Sequence, residues 1–115
     1  MLVKMDCANA GGSTNINTLA IASIATNTSP TISVSDNNHE TLYLYISTNS
    51  SNETTRGANT QISSATGCSY QEIDYKDNGS SFSSRLYKLT SCQSSVTISG
   101  TSTSAINKNM ILFYS

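Results

Sequence analysis

Apolar and polar residues alternate along much of the chain, and this alternation predicts β-strands. Residues 41–47 place three aliphatic side chains on one face and two tyrosines, Tyr43 and Tyr45, on the other. Side chains of a strand point alternately to opposite faces, so this period of two fits a strand and not a helix. Residues 31–35, which follow a proline, and residues 96–99, which precede a glycine, alternate in the same way. Each of the three segments is predicted to be a strand.

A hairpin is predicted in the second half of the chain. Residues 70–75 alternate and lead to the dipeptide Asn78-Gly79, and residues 82–89 supply a return strand. Asn-Gly is the strongest short signal for a two-residue type I′ turn, because both central residues of that turn need a positive φ. The sequence therefore predicts an antiparallel hairpin with a tight turn at Asn78.

Three further apolar segments are less regular. Residues 19–25 could form two helical turns, but their Ser, Thr and Asn neighbours and their lack of charged helix formers favour a strand. Residues 110–114 are apolar on both faces, which is expected of a central strand or of a strand that meets a partner. Residues 2–6 are predicted to be an edge strand or part of an arm.

Together these segments predict eight or nine short strands separated by turn signals. No segment has the apolar spacing, caps and charge pairs of a helix, and residues 47–59 form the longest predicted polar loop. The predicted fold class is all-β, an antiparallel β-sandwich of jelly-roll type. A length of 115 residues fits a single domain over residues 1–115, with residues 1–17 as a candidate N-terminal arm.

The composition is polar but almost uncharged. Charged residues make up 11% of the chain, the formal net charge is −1, and Ser, Thr and Asn account for roughly two residues in five. The six basic residues are scattered, whereas nucleic-acid binding needs a clustered basic surface, so no nucleic-acid partner is predicted. No apolar run is long enough to span a bilayer and the N-terminal residues contain no apolar signal core, so neither a membrane segment nor a signal peptide is predicted.

Residues that could carry catalysis or bind a metal are few. His39 is the single histidine and lies in a predicted loop, where a solvated turn residue is the simpler interpretation. Glu72 and Asp74 are predicted to share one strand face at a distance that two glycosidase carboxyl groups could have, but no tryptophan offers a sugar platform. Asp77 and Asn78, together with Asp74, only loosely resemble a calcium loop. The sequence therefore predicts no enzyme and no cofactor.

The three cysteines, Cys7, Cys68 and Cys92, form no metal-binding motif. One interpretation is that all three are free, partly buried thiols. The other is that Cys68 and Cys92 lie near the ends of neighbouring strands and form a disulfide, which leaves Cys7 free or available for an intermolecular link. Both interpretations stay open on the sequence.

The second half of the chain has a distinctive order of strands and turns. It runs through the segments Thr66-Gly-Cys-Ser-Tyr70, Ser84-Arg-Leu-Tyr-Lys-Leu-Thr90, Ser95-Val-Thr-Ile-Ser-Gly100 and Met110-Ile-Leu-Phe-Tyr114. In this order the segments resemble small β-sandwich virion proteins of tailed bacteriophages. The resemblance implies a structural protein of the virion, such as a head decoration, head-fibre or tail-associated protein, with other virion proteins and copies of itself as partners. It carries over no catalytic residues.

Candidate contact residues lie on the aromatic and apolar strands. Tyrosine is favoured at interfaces, so Tyr43 and Tyr45 are candidates, and the apolar strand adds Met110, Leu112 and Tyr114. Two other functions stay open. The chain could be a carbohydrate-binding or adhesin module that holds a host-surface glycan with Tyr43 and Tyr45 or with the loop over residues 47–59, or it could be a self-assembling surface filament subunit.

Overall fold

The protein is described by a computed structural model over residues 16–24 and 30–115. Within these ranges the chain forms eight β-strands and one short α-helix. The elements are β1 (Asn17–Ile24), β2 (Thr31–Val34), β3 (Leu42–Asn49), α1 (Glu53–Ala58), β4 (Ile62–Thr66), β5 (Ser69–Asp77), β6 (Phe82–Thr90), β7 (Val96–Gly100) and β8 (Lys108–Tyr114). The predicted strand over residues 2–6, most of the candidate arm and Cys7 lie outside the described residues.

The strands form two antiparallel sheets. The larger sheet has the order β1-β8-β3-β6-β5 and the smaller sheet the order β2-β7-β4. The pairings are nested, since β1 pairs with β8, β2 with β7 and β3 with β6. Nested pairing of this kind is the winding of a jelly roll, although β5 joins β6 in the larger sheet. The all-β antiparallel sandwich predicted from the sequence is confirmed.

The core lies between the two sheets and is built from the inward faces of their strands. Leu42, Leu44 and Ile46 of β3 have no exposed surface, as the alternation of residues 41–47 predicted. Val96 and Ile98 of β7 are also fully buried and belong to the same cluster. Burying an aliphatic side chain of this size contributes roughly 1.5–3 kcal/mol, so apolar faces hold these strands together.

Strand β8 has a central position in the larger sheet, between β1 and β3. Its inward residues Met110 and Leu112 are 0% exposed and belong to the core cluster. They are therefore core residues and not surface contacts, contrary to the prediction, because β8 is paired on both edges and covered on its inner face. The central-strand interpretation of residues 110–114 accounts for their apolar character.

Strand β1 decides between the two interpretations of residues 19–25. Residues 17–24 form a strand that pairs antiparallel with β8, with a bulge between Thr18 and Ala20. Leu19, Ala20 and Ala22 pack against the core cluster. The strand prediction is confirmed as far as Ile24, the last described residue of this segment.

Helix α1 lies within the segment that the sequence predicted to be a polar loop. Asn52 caps its N-terminus, since the side-chain oxygen of Asn52 accepts a hydrogen bond from the N–H of Thr55 at 2.9 Å. Such a cap satisfies a donor that the first helical turn leaves without a partner. Arg56, in the last turn, is only 1% exposed. The loop prediction is wrong for residues 53–58, because six residues are too few to show helical periodicity.

Strands β5 and β6 form the predicted hairpin, but with a longer turn. Residues 78–81 connect the strands, and the side-chain oxygen of Asn78 accepts hydrogen bonds from the N–H groups of Ser80, Ser81 and Phe82. Gly79 has a positive φ of 83°, whereas Asn78 does not have a positive φ. A type I′ turn needs both. The predicted two-residue turn is therefore wrong, and the Asn78 side chain closes a wider one.

Candidate functional site

The two carboxyl groups that were expected to share a face, those of Glu72 and Asp74, lie on opposite faces of β5. A bulge at Ile73 shifts the register of β5 against β6. Glu72 is opposite Tyr87, which is buried in the core cluster. Asp74 is opposite Leu86, the next residue along β6, whose side chain points to the other face. The predicted pairing is wrong, and the geometry of two cooperating carboxyl groups is absent at these residues.

The carboxylate of Asp77 belongs to a structural ion pair. Arg56 reaches it from α1 with two hydrogen bonds, from Nε to Oδ1 at 2.6 Å and from Nη2 to Oδ2 at 2.9 Å. Ser83 Oγ and the N–H of Gly79 donate to the same carboxylate. These bonds, above all those from Arg56, hold the pKa of Asp77 well below its usual range. Among the described residues no group of three or more His, Cys, Asp or Glu side chains is placed to hold a metal ion.

Two arginines anchor the charged end of β5. Arg56 also donates from Nη1 to two backbone carbonyl oxygens, each at 2.9 Å. Arg85 of β6 lies over the ring of Tyr75, with the guanidinium carbon 4.1 Å from the ring centroid, and forms an ion pair with Glu72. These contacts tie β5 to α1 and to β6.

The loop between β2 and β3 holds His39 against an aromatic ring. His39 and Tyr114 are stacked, with ring centroids 3.7 Å apart and planes inclined by 19°. His39 is half-buried, so it is a packing residue and not the solvated turn residue that the sequence predicted. Tyr114, a predicted contact residue, is half-buried beside it.

The outward face of the smaller sheet is covered by hydroxyl groups. Its paired outward residues are Thr31, Ser33, Ser64, Thr66, Thr97 and Ser99. Several of these hydroxyls bond across strands, with Thr31 Oγ1 3.0 Å from Ser99 Oγ and Ser33 Oγ 3.1 Å from Thr97 Oγ1. This face is polar and uncharged, and hydrogen bonds between its own side chains connect its strands.

The outward face of the larger sheet is apolar in its middle. Tyr43 stacks on Phe113 with ring centroids 5.5 Å apart. Tyr45 lies between Leu86 and Ile111 in the register of the three central strands. Leu86 and Phe113 are only 7% and 3% exposed, while the other three residues are half-buried. The middle of this face is therefore largely covered already, and accessible apolar surface has to be sought elsewhere.

Exposed hydrophobic side chains mark the edges of the larger sheet. Among the described residues, the large hydrophobic side chains that stay exposed are those of Ile16, Ile21, Tyr70 and Ile73. The first two lie at or on β1 and the last two on β5, which are the outermost of the strands that the structure describes in this sheet. An edge strand presents backbone groups to which another strand can add. Exposed apolar residues at such an edge indicate a contact surface.

The two edges differ in charge. The β1 edge, defined as residues 16–24, contains no charged residue, and Ile21 on it is 67% exposed. Beyond the bulge, residues 20–24 run in regular register with β8. The β5 edge, defined as residues 69–77, is bulged in its middle and carries Glu72, Asp74, Lys76 and Asp77. The β1 edge is therefore the candidate functional site.

The predicted contact residues do not include this edge. Alternation predicted a strand over residues 19–25, but neither Ile16 nor Ile21 was singled out as a contact. The order of strands in a sheet decides which strand lies at an edge, and alternation along one strand carries no information about that order. The lack of charge in residues 16–24 was the one feature of the sequence that could have indicated this contact surface.

A pair of cysteines lies at one end of the sandwich. Cys68 and Cys92 are free, half-buried thiols that lie close enough to influence each other's pKa. Burial raises the pKa of both thiols, and that of Cys92 reaches about 12. The structure thus places side by side the two cysteines that the sequence proposed as a pair, while the disulfide between them stays a prediction.

In the part of the chain that the structure describes, no helix is long and apolar enough to cross a membrane. Comparisons of the chain with family models, with curated proteins and with solved structures gave no match. The surface chemistry of the sandwich therefore carries the functional conclusion.

Proposed function

We propose that the chain is a non-enzymatic structural component of a bacteriophage virion, a head decoration, head-fibre or tail-associated protein, that assembles with copies of itself through the β1 edge. The observation that carries this proposal is an edge strand with exposed isoleucines and no charge. Proteins usually protect exposed sheet edges with charges, prolines or covering elements, because an open apolar edge recruits other strands. An edge left apolar and neutral suits a chain that has a partner there.

A second copy of the chain fits the β1 edge. Two copies related by a two-fold axis would pair their β1 strands antiparallel and join the two larger sheets into one. Residues 20–24 supply a regular stretch for this pairing. No like charges meet at the joint, and the Ile21 side chains of both copies lie on the same face of the joined sheet. Their contact removes exposed apolar surface from water.

The assignment to a virion is supported by the order of strands and turns in the second half of the chain. The segments that resemble phage virion proteins lie on the turn from β4 to β5 and on β6, β7 and β8. The hydroxyl-covered face of the smaller sheet adds support, because an uncharged polar face suits the outside of a many-copy particle. Copies displaying it side by side do not repel each other.

Light scattering of the purified chain, with and without reductant, tests the self-association. We expect a mass of at least two chains in both conditions. Ile21→Lys should reduce the mass to one chain, because it places two ammonium groups beside each other at the joint. Ile73→Lys introduces the same charge at the β5 edge and is the matched control, which should keep the assembled mass. Circular dichroism melting checks that both variants are folded.

Four outcomes would contradict this proposal. If the unmodified protein has the mass of one chain at every concentration, it does not self-assemble. If Ile21→Lys keeps an assembled mass, the β1 edge is not the site of assembly. A mass that falls to one chain only on reduction supports the filament alternative with cysteine links. Binding on a glycan array that is lost in Tyr43→Ala would support the carbohydrate-binding alternative instead.

A further inference from the structure

Connections between the two sheets gather at one end of the sandwich. The chain passes from β4 to β5 through Gly67 and Cys68, and from β6 to β7 through residues 91–95. The two connections contact each other, since the N–H of Gln93 donates a hydrogen bond to the carbonyl oxygen of Gly67 at 2.8 Å. The connection from β2 to β3 joins them, because the N–H of Cys92 donates to the carbonyl oxygen of Glu40 at 3.0 Å.

The two thiols face each other across this junction. Ser69 follows Cys68 and is paired with Thr90, which lies two residues before Cys92, so the register of β5 and β6 brings the two cysteines near each other. The thiols of Cys68 and Cys92 lie close enough to influence each other's pKa, and both side chains pack against the core cluster. A disulfide needs two Cα atoms within about 7 Å and side chains that point towards each other. The backbone hydrogen bonds of the junction hold the segments of both cysteines together, which favours this arrangement.

We propose that Cys68 and Cys92 form an intrachain disulfide in the folded protein by exchange with a small-molecule disulfide such as oxidised glutathione, and that this bond clasps the connections between the two sheets. The proposal stands on the junction of the two connections and is independent of self-assembly at the β1 edge. The clasp is optional, because the sandwich is complete with both thiols reduced.

The exchange takes place in two steps, and either of the two cysteines can react first. When Cys68 does, its thiolate is the nucleophile of the first step. The Cys68 thiolate attacks one sulfur of oxidised glutathione, which forms a mixed disulfide and releases one glutathione thiolate. That thiolate accepts the proton of Cys92, whose sulfur then attacks the Cys68 sulfur and displaces the second glutathione. Two protein thiols are oxidised and one glutathione disulfide is reduced to two thiols.

The clasp has two consequences. Because burial raises the pKa of both thiols in the folded chain, their exchange there is slow at neutral pH. The bond closes the segment that holds the β5–β6 hairpin, and closing a loop of this size restricts the unfolded chain. We expect the melting temperature of the oxidised protein to exceed that of the reduced protein by roughly 10 °C.

Intact mass, peptide mapping and melting test the clasp in a Cys7→Ser chain, which removes the third thiol. The folded chain is incubated with oxidised glutathione at about pH 8, so that part of the Cys68 thiol is ionised. We expect a species that has lost two hydrogens, resists alkylation, carries a Cys68–Cys92 peptide and melts at higher temperature. Cys92→Ser in the same background is the matched control, and it should stop at a glutathione adduct on Cys68.

The opposite results would overturn the proposal. Two glutathione adducts on the chain, or two alkylated cysteines after prolonged incubation at full circular dichroism signal, would show that the thiols do not close on each other. A crosslinked species that melts at or below the temperature of the reduced chain would show that the bond does not clasp the two connections.

Discussion

The β1 edge and the β5 edge close the same sheet by different means. Strand β1 is attached through small and medium apolar side chains, Leu19, Ala20 and Ala22, that pack against the core. Strand β5 is anchored through charged groups, with the ion pair of Asp77 and Arg56 at its end. Each edge leaves two large hydrophobic residues exposed. The edges therefore offer similar apolar surface but differ in what surrounds it.

This difference shows how charges that anchor a strand can also protect it. A strand that adds to β5 has to approach Asp74 and Lys76 and follow a bulge in the middle of the ladder. A strand that adds to β1 meets no charge, and the regular stretch over residues 20–24 is available to it. If the chain assembles as proposed, neutrality at one edge and charge at the other restrict assembly to the β1 edge.

Removing the anchor of β5 is the most drastic way to test the comparison. Arg56→Met roughly keeps the length of the side chain but leaves Asp77 without its ion-pair partner and two backbone carbonyl groups without the Arg56 donor, at a position where the native side chain is 1% exposed. We expect the melting temperature in a circular dichroism scan to fall by roughly 10 °C or more. Lys76→Met, an exposed charge on the same strand, is the control and should melt close to the unmodified chain. An unchanged midpoint for Arg56→Met would mean that the ion pair does not anchor β5.

Acid should loosen the β5 edge before the β1 edge. The pKa of Asp77 is lowered in the folded chain, so its contribution to stability is present above the ordinary aspartate value of 3.8 and is lost as the pH falls below that value. We expect the melting temperature to hold between about pH 7 and pH 5 and to fall below about pH 4. Hydrogen exchange should show faster opening of β5 than of β1 in acid.

The matched variants for the acid experiment are Asp77→Asn and Asp36→Asn. Asp77→Asn should melt lower at neutral pH and lose less on acidification, because the titrating group has been removed. Asp36→Asn, which changes an exposed carboxyl group in a loop, should retain the full loss. Equal acid loss in all three proteins would show that Asp77 does not govern the transition.

The smallest expected effect comes from making the β5 edge neutral. Asp74→Thr combined with Lys76→Thr, in an Ile21→Lys background that blocks the β1 edge, should let β5 associate weakly. We expect the dissociation constant from sedimentation equilibrium to fall by about fivefold relative to Ile21→Lys alone. Asp36→Thr combined with Lys88→Thr in the same background removes one exposed charge of each sign from outside β5 and is the charge-matched control. No gain in association would mean that the bulge at Ile73, and not charge, protects this edge.

Much of the sandwich could be predicted from local pattern. Residues 41–47 and 96–99 alternate because one face of each strand meets the core, and that constraint is visible in any strand covered on one side. The hairpin of β5 and β6 was predictable because strands that are adjacent in sequence pair most readily. These features depend on neighbours along the chain.

The features that local pattern does not reveal depend on contacts between residues far apart in the sequence. Met110 and Leu112 are apolar for the same reason whether a core or a partner covers them, so their sequence does not distinguish the two. Arg56 and Lys108 are fully buried, although both are charged residues that usually lie at a surface. Arg56 is accommodated by Asp77, and the Lys108 ammonium by the hydroxyl of Ser102 and by backbone carbonyl groups. Such partners become visible only once the chain has folded.

The central place of β8 has a consequence for the synthesis of the protein. Its partners are β1 and β3, and Asn17 pairs with Tyr114, so the larger sheet depends on contacts between segments made far apart in time. A ribosome adds roughly 5–20 residues per second, so β1 waits for seconds before residues 108–114 emerge. Folding of this sheet therefore follows translation of its last strand. Chaperones that hold exposed strands can bind the chain in that interval.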